Sequence, residues 1–191
     1  MSCTKKGEDM SITTFRNALK YDGMLTIGGG EPTLHPLFWQ ILMEAIAHSE
    51  ESLWMATNGS QTEIALALAN LAKKGVLGVA LSLDVFHDPI DCKVVEAFTK
   101  SLNHPSSYNT STDYREIRNV SGHLIKAGRC KDGEEGCICS SLFVKPNGDV
   151  KGCGCKNAPL FGNVNKGFEI PYMFEDGECT IDRRKNKKIA A

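Results

Sequence analysis

Three short apolar runs, each closed by a glycine-rich or polar tip and followed by an amphipathic stretch, constrain this chain more than any other feature. Met24–Ile27 ends in Gly28-Gly29-Gly30-Glu31 and leads into a predicted helix from Pro36 to Ala47, with Pro36 suited to the first turn. Leu53–Ala56 ends in Thr57-Asn58-Gly59 and leads into a predicted helix from Gln61 to Lys74. There Ser60 and Glu63 form a capping-box pattern, Ile64, Leu68 and Leu71 share a face, and Gly75 supplies the stop. Val76–Leu83 runs into Ser82-Leu83-Asp84 at its end, before a helix expected over 89–101. Another helix is expected earlier, over 11–20. This alternation predicts an α/β fold of parallel strands joined by right-handed helical crossovers. Sites in such folds lie at the C-terminal ends of the strands, so the three tips converge on one mouth.

A chain of 191 residues is long enough for one sizeable core and a small appendage. Its 22 Lys and Arg nearly balance 23 Asp and Glu, so no broad basic field points to a nucleic-acid partner. The one cationic run, Arg183 to Lys188, is expected to be a solvated tail. No apolar stretch approaches the ~20 residues that span a bilayer, and no apolar segment follows Lys5 and Lys6 as in a signal peptide. The expectation is a cytoplasmic chain without a membrane partner. In that compartment eight cysteines, five of them between 130 and 155, point to metal and not to disulfides. The strand–helix pattern changes after His104, "YREIRNV" is a candidate last strand, and the boundary is placed near 128. The expected domains are 1–128, a cysteine-rich module over 129–180, and a basic tail over 181–191.

The glycine loop is neither a dinucleotide fingerprint, because Thr33 stands where a third glycine is needed, nor a Walker loop, because no Gly-Lys-Ser/Thr follows. A glycine-rich turn permitting close packing is the plain alternative. It does not account for polar tips on the next two strands. Taken together, Gly29-Gly30-Glu31-Pro32, Thr57-Asn58-Gly59 and Ser82-Leu83-Asp84 resemble the radical SAM superfamily over roughly residues 10–128. The resemblance implies a partial (β/α) barrel that binds S-adenosylmethionine, with Gly29, Gly30, Glu31, Pro32, Asn58, Ser82 and Asp84 as binding residues. Exposed glycine backbone would accept the ligand's ammonium group, and polar groups at the later strand ends would contact its ribose and carboxylate. Asp84, His87 and Asp88 also bring two carboxylates and an imidazole together, but one histidine leaves a metal set incomplete. A strand tip with Asp84 facing the SAM pocket is preferred.

Members of that superfamily hold a [4Fe–4S] cluster with a C-x-x-x-C-x-x-C loop after the first barrel strand, and this sequence contains no such run. Cys3 alone cannot hold a cluster. The chain is expected to be an N-terminal truncation or a degenerate relative, and the intact downstream motifs favour truncation. As it stands, the chain is expected to be inactive in radical chemistry. The resemblance implies an enzyme that cleaves SAM to a 5′-deoxyadenosyl radical, with an electron donor and an unidentified substrate, a peptide being the candidate. A non-catalytic, metal-stapled module that binds SAM or a partner is the alternative.

The segment "CICSSLFVKPNGDVKGCGC", residues 137–155, predicts a β-hairpin. Pro146 cannot enter a type I′ turn but fits the second position of a type I turn, with Gly148 left-handed as a bulge. Lys145 then pairs with Asp149, and counting outward sets Cys139 opposite Cys155 and Ser141 opposite Cys153. Cys137, Cys139, Cys153 and Cys155 fall on one face, with Leu142, Val144 and Val150 on the other. Four facing thiols suit a closed zinc site or an iron–sulfur cluster. "PNGDVKGC" and "LFGNV" also resemble the twitch and SPASM auxiliary-cluster modules, which implies at most one further cluster, with Cys130 as a substitute ligand. Cys92 and Cys179 are read as ordinary thiols.

Overall fold

Leu53, Met55 and Thr57 are buried while Trp54 and Ala56 between them are only half-buried, and this alternation sorts the two faces of a parallel sheet. The computed structural model describes residues 7–21, 23–49, 53–84, 87–99, 112–118, 142–152 and 160–168. These divide into two compact units, and the division is not a single cut. Residues 23–118 belong to one unit, and residues 8–21 join residues 142–168 in the other. The expected boundary near 128 had placed the first helix with the sheet.

In the first unit four strands, β1 (Leu25–Ile27), β2 (Leu53–Thr57), β3 (Gly78–Ser82) and β4 (Arg115–Arg118), lie in the spatial order β1-β2-β3-β4, all parallel. The crossovers contain α2 (Phe38–His48), α3 (Thr62–Lys73) and α4 (Cys92–Phe98), and the helix earlier in the chain, α1 (Ile12–Ala18), belongs to the other unit. With right-handed connections, sequential order puts every helix on the same face. Burial agrees. Leu53, Met55, Thr57, Val79 and Leu81 on that face are at most 4% exposed, together with Leu42, Ala45, Leu68, Ala72, Val94 and Phe98 from the helices. Truncating Met55 or Leu68 to alanine would cost about 2–5 kcal/mol through the cavity left behind. On the opposite face Thr26, Glu116 and Arg118 are exposed, Trp54, Gly78 and Ser82 half-buried, and Ala80 alone fully buried.

The helix starts differ from expectation in instructive ways. Pro36 lies ahead of α2, and Pro32 instead opens a 3₁₀ turn over Pro32–Leu34. The Ser60/Glu63 capping box does not form: Gln61 is the N-cap of α3, with no side-chain bond. The Ser60 N–H donates to Asn58 Oδ1 at 2.9 Å, so the strand tip has captured the group the box would use. Gly75 stops α3 as expected.

In the second unit α1 (Ile12–Ala18) starts at Ser11, whose Oγ accepts the Thr14 N–H. Its Ala18 packs on Val150, Val164 and Phe168, in a unit whose antiparallel sheet is β5 (Phe143–Val144), β6 (Asp149–Lys151) and β7 (Leu160–Asn163). The hairpin follows the predicted register: Val144 opposes Val150, Phe143 opposes Lys151, and the Lys145 N–H donates to the Asp149 carbonyl. The Gly148 N–H donates to the Lys145 carbonyl at 2.8 Å and Gly148 has φ +88°, as a type I turn with a left-handed third residue requires. Val150, Val164 and Phe168 form a small core, flanked by Ala18, Tyr21, Leu142, Val144 and Phe161. Leu142, Val144 and Val150 thus share the apolar face expected of them. Cys137, Cys139, Cys153 and Cys155 lie outside the described residues, as do Cys3, Cys130 and Cys179.

Candidate functional site

The parallel register places the ends of β1, β2 and β3 side by side at one end of the sheet. Residues 28–31, 57–59 and 82–84 therefore follow neighbouring strands at their C-terminal ends.

Glu31 fastens two of these tips together. Its Oε1 accepts the Thr33 N–H at 3.2 Å, the Thr33 hydroxyl at 2.7 Å and the Thr57 hydroxyl at 2.8 Å. Its Oε2 accepts the Asn58 N–H at 2.6 Å. The Thr57 oxygen in turn accepts the Gly59 N–H at 3.1 Å. Both threonines are buried, so the carboxylate satisfies donors that water does not reach. Glu31 is consumed in holding the loop, and the group left outward is glycine backbone. Nothing in the sequence reveals this division of labour, since an acid beside glycines looks the same in either role.

Gly28, Gly29 and Gly30 are all exposed. A Cβ added at any of them meets no described atom within 4 Å. Gly29 has φ +134°, which demands glycine, but Gly28 and Gly30 have neither a positive φ nor a crowding neighbour. Close packing, the plain explanation of the glycine run, does not apply among the described residues. Pro32 is half-buried at the first position of the 3₁₀ turn and sets the chain's exit from the loop.

Asn58 is half-buried, and Ser82 is half-buried with no hydrogen-bond partner for its hydroxyl among the described residues. The side chain of Asp84 is only 2% exposed, and its Oδ1 lies 2.7 Å from His87 Nδ1. Asp84 is therefore buried and engaged by His87. Asp88 is exposed, and no group of three His, Cys, Asp or Glu able to hold a metal gathers among the described residues.

A cavity of about 490 Å³ opens at the other end of the sheet, between Met24, Trp54, Val76, Gly78 and Tyr114. Two of its charged lining residues are paired with each other: Arg115 Nη2 meets Asp113 Oδ2 at 2.6 Å, and Arg115 Nη1 donates to the Ala97 carbonyl. It lies at the N-terminal ends of the strands, away from every motif.

No family model, curated protein or solved structure matches this chain. No helix among the described residues is long and apolar enough to cross a membrane.

Proposed function

We propose that this chain is a radical SAM-type protein whose sheet is part of a (β/α) barrel and whose strand ends bind S-adenosylmethionine. The observation that carries this is the open, exposed backbone of Gly28, Gly29 and Gly30 beside the tips of β2 and β3. Sequential strand order with all helices on one face is how a barrel grows; a doubly wound sheet reverses its order partway. The ligand's ammonium group would donate to loop carbonyls, and the hydroxyl of Ser82 and the side chain of Asn58 suit its other polar groups. The Glu31 carboxylate, whose four donors are all neutral, leaves a negative charge at this end that favours a ligand carrying ammonium and sulfonium charges.

The fit of the iron–sulfur group is different. The sequence holds no C-x-x-x-C-x-x-C run, so no radical step is derived from this chain's own residues. Bound to such a cluster, SAM supplies a 5′-deoxyadenosyl radical, and the substrate, a peptide in this proposal, and the electron donor belong to that chemistry. The cysteines of the hairpin are proposed as a second metal site, with zinc and an iron–sulfur cluster as the two candidates.

Equilibrium dialysis with labelled SAM tests the binding. Saturable binding by the chain, weakened at least about tenfold by Gly30→Ala, is the expected result. Absence of saturable binding, or equal binding by the variant, would overturn the assignment of the loop.

A further inference from the structure

A carboxylate that is 2% exposed is costly to keep ionised unless a partner compensates it. Asp84 has such a partner in His87, whose Nδ1 lies 2.7 Å from Oδ1 and whose side chain is 13% exposed. Hydrogen bonding at Nδ1 decides what the other ring nitrogen does. With the Nδ1 proton donated to Asp84, a neutral imidazole carries its lone pair on Nε2. Among the described residues Nε2 has no hydrogen-bond partner. The pair sits just beyond β3, at the end of the sheet where the tips of β1 and β2 also end. Burying a charge to hold an imidazole beside a strand end contributes little to packing and suits acid–base chemistry.

We infer that Asp84 and His87 form a proton-transfer dyad, in which Asp84 positions the ring and His87 Nε2 exchanges a proton with a ligand that presents an acidic O–H or N–H at the strand ends. In the forward step the ligand's O–H or N–H bond breaks and an Nε2–H bond forms. His87 becomes an imidazolium whose charge the Asp84 carboxylate stabilises, and the proton returns in the reverse step. No oxidant or reductant is involved, and the inference does not depend on the ligand being SAM.

His35 provides an internal reference. Its Nδ1 accepts the Leu37 N–H at 3.0 Å, so its neutral form carries the proton on Nε2, the tautomer opposite to that assigned to His87. Long-range ¹H–¹⁵N NMR of the wild-type chain is expected to show His87 protonated on Nδ1 and His35 on Nε2. Asp84→Asn, which keeps the shape and removes the charge, is expected to turn His87 towards the Nε2–H tautomer. It is also expected to slow acylation of His87 by diethyl pyrocarbonate severalfold, with His35 and His48 unchanged, as peptide mapping would report. A pair that only holds the loop, with Nε2 closed off from reagents, would leave His87 equally unreactive in both proteins. The dyad is overturned if wild-type His87 carries its proton on Nε2, or if His87 reacts equally fast in the wild type and in folded Asp84→Asn. Should that variant not fold, the wild-type tautomer decides alone.

Discussion

The Glu31 carboxylate accepts the backbone N–H of Asn58 at 2.6 Å, so one side chain ties together the loops that follow two neighbouring strands. Glu31→Ala would leave the buried Thr57 hydroxyl and the Asn58 N–H without their acceptor, at a cost of about 1–3 kcal/mol. Glu31→Gln keeps one acceptor and turns a donor towards the others, so it should destabilise as well. Urea unfolding of the two variants checks this, and unchanged midpoints would show that the loop does not depend on Glu31.

Two glycines are expected to differ in their response to the same substitution. At Gly148, φ is +88° and a Cβ would sit 2.5 Å from Asn165 Nδ2, so Gly148→Ala should cost about 1–3 kcal/mol. At Gly30 there is open space, so Gly30→Ala should stay within about 0.5 kcal/mol of wild type. Paired thermal melts would decide whether the second glycine is structural after all.

Asp113→Ala removes the partner of Arg115, whose side chain is 10% exposed, and should cost about 3–5 kcal/mol. Replacing both residues with apolar ones of similar volume should cost much less. A double variant as unstable as the single one would mean that the pair's charge is not the issue.

The carboxyl of Asp149 is held below the ordinary carboxylate range, first by the amide of Asn163 and then by that of Asn147. Below the unfolded pKa the unfolded chain binds the proton more readily, so stability rises with pH through that interval. The contribution is fully present above the ordinary aspartate range and is lost as pH falls through the lower, folded value. Asn163→Ala should flatten the acid limb of a plot of urea midpoint against pH. An unchanged limb would remove Asn163 as the cause.

For the cysteines the expected outcome is compositional. The observed pairing of Val144 with Val150 follows the register in which the sequence sets Cys139 opposite Cys155. Metal analysis of anaerobically purified protein should find bound zinc or iron, lost in Cys139→Ser/Cys155→Ser. Retention of the metal in that variant would place it elsewhere.

The parallel sheet and the hairpin were legible because each has a local cause. Short apolar runs alternate with amphipathic helices, and Pro146, Asn147 and Gly148 allow only a few turn geometries. The partners of Glu31, Asp84 and Ser60 were not legible, because each side chain had two chemically reasonable uses and tertiary geometry chose between them. Gly162-Asn163 is intermediate. The sequence marked it, but only the fold shows that Phe168 occupies the space a Cβ on Gly162 would need, and that Asn163 braces the turn through the Asn147 carbonyl at 3.0 Å. The placement of α1 left no local trace at all.

That placement has a consequence for synthesis. Asn17 donates to Asn165 Oδ1, Asn165 donates to Thr14, and the Phe168 N–H donates to Tyr21, contacts that span 148, 151 and 147 residues. On the ribosome α1 is made before the sheet, yet its partners are made after it. At about 5–20 residues per second the delay is roughly 7–30 s. A seven-residue helix is too short to hold its form alone in water over that time. The sheet unit has all its described strands before β5 appears, so nascent α1 must wait unpaired until β7 and Phe168 emerge to complete its unit.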